Sequence, residues 1–132
     1  MDYEIKRLLK SAKQAKENSY APYSNFKVGA AVIGKNGKIY SGSNVENSSY
    51  SLTICAERAA IFKMVNDGEK EISAILIIGD TEKYLPPCGA CRQVISEFST
   101  NKTIVYMCNK HEKFKKMTVE ELIPLKFSID FL

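Results

Sequence analysis

The segment "ISAILIIGDTEKYLPPCGACRQVISEFSTNKTIVYMCN", residues 72–109, decides the fold. Its two apolar runs, "ISAILIIGD" at 72–80 and "TIVYMCN" at 103–109, have the length and content of buried strands. Between them "CGACRQVISEF", 88–98, carries a helical pattern just after a proline pair. A strand, a helix and a strand with short connections predict parallel pairing, with the helix crossing over one face of the sheet.

The alternation continues outward from this unit. "TICAERAAIFKMVNDG", 53–68, reads as a helix closed by Gly68, and "FKVGAAVIGKNGKIYSGSN", 26–44, as two apolar strands joined by a turn at Gly34 to Gly37. Upstream, "DYEIKRLLKSAKQAKEN", 2–18, places Ile5, Leu8, Leu9, Ala12 and Ala15 at helical spacing, so a helix packed on a hairpin opens the chain. Downstream, "TVEELIP", 118–124, predicts a helical turn or two capped by Thr118 and ended by Pro124. The expected architecture is α/β: a three-layer α-β-α sandwich around one mixed sheet, with residues 1–132 as one domain.

Composition bounds the setting. At 132 residues and 45% hydrophobic content, the chain can bury one core. No apolar run approaches the roughly 18–20 residues of a membrane span, and "MDYEIKRLLK" has charges where an export signal needs apolar residues. The expected location is the cytoplasm, with no membrane partner. The four cysteines are therefore read as thiols for metal or chemistry rather than as disulfides. Lys and Arg exceed Asp and Glu by 19 to 15, but the lysines are spread over the N-terminal segment and "NKHEKFKKM". That is a solvated surface and not the concentrated basic, aromatic face of a nucleic-acid binder. His111, within the lysine-rich stretch, is assigned no role.

The placement of the cysteines carries the chemistry. Cys55 falls at the start of one crossover helix, Cys88 and Cys91 at the start of the next, so both helix heads can meet at one edge of the sheet. Positions i and i+3 share a helix face, so Cys88 and Cys91 can reach one ion at a Zn–S distance of about 2.3 Å. The helix N-terminus favours the thiolate that binds zinc. Three readings compete. A redox pair wants no third sulfur nearby, and a closed four-cysteine zinc site has to recruit Cys108, whose apolar context "IVYMCNK" suits a small core residue. An open site with three ligands, the arrangement of a catalytic zinc, is the reading adopted.

Glu57, in "CAE", gives that open position a function. Two residues along a helix is a rotation of about 200°, so Cys55 and Glu57 do not both point straight at the metal. The carboxylate can reach a water there instead, whose pKa zinc lowers from about 15.7 towards roughly 7, and carry its proton to a substrate nitrogen. A glutamate in a first helical turn also suits the helix dipole without any catalytic role.

Four stretches together resemble a family. "YAPYSNFKVGAAV", "GSNVENSSYSLTICAERAA", "PPCGACRQVISEF" and "ELIPLKF" are similar to the zinc-dependent cytidine deaminases of the short, homotetrameric, three-cysteine kind, over nearly the whole chain. The resemblance implies a cytidine deaminase-like fold, one Zn2+ per subunit on Cys55, Cys88 and Cys91, and Glu57 as proton shuttle. It implies that Phe26 lines the pyrimidine pocket and that Asn44 and Glu46 grip the ribose hydroxyls. Backbone groups around Ala56 and Pro87 would bind the base edge. Arg58 would offset the surplus charge of three thiolates, Gln93 would hydrogen-bond a ligand sulfur, and Phe127 would reach a neighbouring subunit's pocket. Tyr23 and Tyr50 border the sugar pocket or pack as plain aromatics.

The implied reaction is hydrolytic deamination of cytidine or deoxycytidine to uridine or deoxyuridine, within pyrimidine salvage. Rival readings are a deaminase of another cytosine nucleoside such as blasticidin S, a nucleic-acid editing deaminase, and a non-enzymatic zinc-stabilised binding module.

Overall fold

Residues 2–132 are described by the computed structural model. In chain order the elements are α1 (Tyr3–Glu17), β1 (Val28–Gly34), β2 (Ile39–Ser43), α2 (Ala56–Asn66), β3 (Ile72–Gly79), α3 (Gly89–Glu97), β4 (Ser99–Cys108), β5 (Phe114–Thr118) and α4 (Val119–Leu122). The strands form one mixed sheet in the order β2-β1-β3-β4-β5. Only β3 and β4 pair in parallel, as the strand-helix-strand unit requires, and the other neighbours are antiparallel.

Side-chain alternation along the central strands divides the core into two layers. Ala31, Ile33, Leu76, Ile78 and Cys108 face α1, which answers with Ile5, Leu8, Leu9 and Ala12. Ala15, expected on that stripe, is only half-buried. Ala30, Val32, Ile75, Ile77, Val105 and Met107 face the opposite way, where Ala60, Ile61 and Met64 of α2, Ile95 of α3 and Leu122 of α4 cover them. Burying each such Ile, Leu or Met stabilises the fold by roughly 1.5–3 kcal/mol, which ties the helices to both faces. The three-layer sandwich read from the sequence is the observed one.

Two further expectations hold, and one strand lies outside them. The hairpin turn closes with Gly37 N–H donating to Gly34 O at 2.9 Å. Thr118 caps α4 in a reciprocal box with Glu121, with Thr118 Oγ1 accepting from Glu121 N and Glu121 Oε1 accepting from Thr118 N. The lysines of "NKHEKFKKM" are exposed, as the solvated-surface reading has it, but the stretch also contributes β5, an edge strand paired to β4 from Cys108↔Phe114 to Ile104↔Thr118. Phe114 meets Tyr106 edge-on at 5.5 Å, while exposed Lys115 and Lys116 guard the open edge.

The topology gathers several chain ends at one edge of the sheet. Because β1 runs antiparallel to β3 and to β2, Val28 pairs with Gly79, and Gly29 with Ser43. The segment before β1, the segment after β2 and the loop after β3 therefore lie side by side. Helix α2 comes close enough to join them because of Gly42: a Cβ there would stand 2.6 Å from the backbone nitrogen of Ala60.

Candidate active site

Cys55 is the N-cap of α2 and Cys88 the N-cap of α3, with Cys91 one turn into α3. The Cys88 sulfur accepts from Cys91 N–H at 3.5 Å, so one ligand is oriented by the backbone of another. The Cys55 and Cys88 sulfurs stand 3.9 Å apart, and all three sulfurs lie within 4.8 Å of one another. Thiolates arranged tetrahedrally about zinc at about 2.3 Å stand about 3.8 Å apart, so the donor set fits that ion. Among the described residues no other group of His, Cys, Asp and Glu side chains is gathered this way.

This convergence decides between the competing readings. A third sulfur beside the C-x-x-C pair removes the simple redox reading. Cys108 lies in the layer under α1, on the far face of the sheet, so it cannot close a four-sulfur site. Burial pushes its thiol up to about 12, which suits an inert core residue. Within the cluster, the neighbouring Cys91 thiol and then the Arg58 guanidinium hold Cys55 below the ordinary thiol range. The same sharing, with burial, pushes Cys91 up.

Arg58 Nη2 donates to the Cys55 sulfur at 3.5 Å, and that bond raises the guanidinium's own pKa. Its Nε is buried with no hydrogen-bond partner among the described residues. Glu57 is 4% exposed. Burial, and next the charge of Cys55, push its carboxyl up to about 7, poised to give or take a proton near neutral pH.

A cleft of about 270 Å³ opens over this cluster. Phe26, Asn44, Glu46, Ala56 and Glu57 line it, with Leu85 and Pro86 opposite. Gly79 lets the walls meet, since a Cβ there would stand 2.7 Å from Leu85 Cδ2 and 3.1 Å from Phe26 Cζ. Asn44 is buried and heavily committed: Oδ1 accepts from Val28 N at 3.0 Å and from Ser19 Oγ, and Nδ2 donates to Phe26 O at 2.8 Å. One amide hydrogen remains for a ligand. Glu46 accepts from Tyr23 N at 3.0 Å, Ser24 N at 3.1 Å and Ser24 Oγ, and the Ser24 hydroxyl leads in holding its carboxyl below the ordinary range. Both residues thus brace the loop before β1 as well as facing the cleft.

Past Glu46 the cleft runs into a hollow of about 380 Å³ between Tyr23 and Tyr50, whose rings meet edge-on at 6.2 Å. The two tyrosines therefore border the outer end of the groove. Phe127 does not line the cleft of its own chain; it is 58% exposed and stacked on Phe131 at 5.8 Å. Gln93 departs from expectation, since its Nε2 donates to the Phe127 carbonyl at 3.0 Å and to no ligand sulfur among the described residues. The helix turns Gln93 toward the C-terminal segment, away from the metal face. The sequence reading passed over Ser24, Thr53 and Leu85, which line the cleft from loops; nothing in their residue types marks them.

Residues 2–108 match the family described as "Cytidine and deoxycytidylate deaminase zinc-binding region". The chain is 46% identical over 125 residues to the cytidine deaminase of Sporosarcina psychrophila, covering 95% of this chain and 92% of that protein. The crystal structure of cytidine deaminase from Burkholderia pseudomallei matches with a TM-score of 0.89 and 41% identity, covering 96% of this chain and 100% of that one. The blasticidin-S deaminase of Bacillus cereus is more distant, at 34% over 109 residues and 76% of each chain. With the zinc-binding region matched by sequence and its three sulfurs converging in space, the chain belongs to the zinc-dependent cytidine and deoxycytidylate deaminase family.

Proposed function

We propose that the protein deaminates cytidine and deoxycytidine hydrolytically to uridine and deoxyuridine, releasing ammonia. The observation that carries this reading is a buried carboxylic acid, Glu57, beside three converging sulfurs at the floor of a nucleoside-sized cleft. Zinc held by Cys55, Cys88 and Cys91 supplies a Lewis acid that acidifies water. Glu57 takes one proton of the attacking water and places it on ring nitrogen 3 as the bond from oxygen to carbon 4 forms. It then takes the remaining hydroxyl proton and gives it to the amino group, which leaves as ammonia as the C4–N bond breaks and the C4 carbonyl forms. Burial, which raises the Glu57 carboxyl above the ordinary carboxylate range, favours its holding a proton between the two transfers.

Phe26 offers its ring to the pyrimidine, and Ala56, first in α2, offers an N–H with no intrahelical acceptor to the base edge. Pro87 O already accepts from Arg92 and keeps one lone pair for the same edge. Asn44 and Glu46 present the remaining amide hydrogen and carboxylate lone pair to the sugar hydroxyls. The outer hollow has the Glu46 carboxylate and no Lys or Arg among its lining residues, which favours a nucleoside over a 5′-phosphate.

The direct test is ultraviolet loss of cytidine, with a zinc assay on the same sample and deoxycytidylate and blasticidin S as comparison substrates. One zinc per chain with cytidine turnover is expected. Bound zinc with unchanged cytidine would make the protein a binding module, and faster turnover of blasticidin S would move it to that substrate.

Two residue roles give further expected outcomes. Arg58 offsets the excess charge of three thiolates, so Arg58→Gln should lower turnover more than it lowers zinc content, by roughly 10–100-fold in kcat. Metal analysis beside steady-state kinetics separates the two. Phe127, exposed with Phe131 and Ile129 close in sequence, serves the cleft of a neighbouring subunit in a homotetramer. Phe127→Ala should then raise KM by the equivalent of roughly 1–3 kcal/mol, the worth of a base–aromatic stack. Light scattering that finds a fully active monomer would remove this role. The whole of residues 1–132 acts as one deaminase domain in pyrimidine salvage in the cytoplasm, a setting that suits four free cysteines.

A further inference from the structure

The loop that carries Cys88 is thinly supported. Pro86 and Pro87 have no N–H to donate. Among the described residues, two hydrogen bonds hold the stretch 84–87: a long one from Leu85 N to Cys108 O at 3.4 Å, and Arg92 Nε to Pro87 O at 2.9 Å. Leu85 packs against the core and Pro87 is buried, but the outer side of the loop is open. On that side lies a hollow of about 430 Å³, bounded by Tyr84, Met107, Met117 and Leu122, and Pro86 lines both this hollow and the active-site cleft. The loop is a partition between two spaces, pinned at the residue before the ligand.

The pin has a second end. Arg92 Nη1 donates to Leu122 O, the last carbonyl of α4, at 2.9 Å. The next residue, Gln93, donates to Phe127 O. Both side chains leave α3 within a turn of Cys91, so the metal-bearing helix grips the cysteine loop on one side and the C-terminal segment on the other. Hydrogen bonds from a guanidinium are charge-assisted and roughly twice as strong as neutral ones, and its planar fork holds two carbonyls in fixed relation.

We propose that Arg92 is a positioning residue: it sets the Cys88 loop by clamping the Pro87 carbonyl against the end of α4, and so ties retention of the metal to the seating of the C-terminal segment. The proposal rests on Cys88 as a zinc ligand. It touches neither substrate nor metal, and its effect passes through the backbone next to the sulfur.

The test follows zinc transfer from the purified holoenzyme to a chromophoric chelator, with melting temperature, kcat and KM measured on the same samples. Arg92→Ala should release zinc roughly 10–100-fold faster, with a fall in kcat larger than the change in KM. Arg92→Lys, one point donor in place of a fork, should recover part of the loss. Asp2→Ala is the control, because it removes the cap of α1 on the opposite face of the sheet and lowers the melting temperature while leaving Arg92, Pro87 and α4 untouched; its zinc release should match the wild type. The proposal is overturned if Arg92→Ala releases zinc at the wild-type rate, or if Asp2→Ala speeds release as much for the same drop in melting temperature. Should Arg92→Ala not fold, Arg92→Lys decides: faster release supports the clamp, and release at the wild-type rate overturns it. A wild type without zinc would overturn the reading of the site itself, an outcome distinct from a zinc-loaded enzyme indifferent to Arg92.

Discussion

Cys88→Ala should leave the folded chain without zinc and without measurable turnover, while Cys108→Ala should keep one zinc per chain and near-normal activity. The contrast follows from which face of the sheet each sulfur occupies. Cys88 caps α3 with its sulfur 3.9 Å from that of Cys55, so its removal leaves two thiols on an open, solvent-facing cleft. Two ligands do not retain zinc against water and buffer, and losing a Lewis acid removes several kcal/mol of barrier lowering, on the order of 10³-fold in rate or more. Cys108 is fully buried beneath α1 among Ala31, Ile78 and Tyr106, with a thiol that burial keeps protonated. Its truncation is a small core deletion costing about 1 kcal/mol, visible as a lower melting temperature and nothing else. Metal analysis and calorimetry on the two variants read the difference. Comparable zinc loss from both would mean that the two faces of the sheet communicate in a way the packing does not provide.

That contrast was legible before the structure because the determining signals are local. Sulfurs at i and i+3 on a helix head, and a cysteine inside an unbroken apolar run, declare their surroundings within a few residues. The same holds for α1, whose stripe of Ile5, Leu8, Leu9 and Ala12 needs no partner to be recognised, and for β3 and β4. What stayed hidden depends on distant chain segments. The strand β5 has a lysine-rich sequence that reads as surface, and it becomes a strand only because β4 presents an unpaired edge to it. Asn44 and Glu46 looked like ligand-facing groups alone, yet their bonds to Val28, Phe26, Tyr23 and Ser24 depend on a loop some twenty residues away in sequence. Gln93 and Arg92 illustrate the same limit: helical spacing shows which way a side chain leaves the helix, but their acceptors are carbonyls of the C-terminal segment and of Pro87.

The other large effect concerns the proton. Glu57→Gln should retain zinc and fold but lose roughly 10²–10⁴-fold in turnover, since the amide keeps the shape of the carboxyl and removes the proton it carries. The ligand set explains the retained metal: three sulfurs converge without the carboxylate. The stability of the metal-stripped protein supplies an independent check with a defined sign. Burial and the Cys55 charge raise the folded-state pKa of Glu57 from its ordinary 4.5 to about 7, so the folded chain holds this proton more tightly than the unfolded one. Stability from this group is then fully present below about pH 4.5 and lost as the pH rises towards and through about 7. Glutamine does not titrate, so the stripped Glu57→Gln protein should gain stability relative to stripped wild type across that window and hold the gain above it. Denaturant melts of both proteins at several pH values measure the gap. A variant that loses its zinc, or a gap that stays flat with pH, would place the carboxylate among the ligands or in solvent and take the proton shuttle away from Glu57.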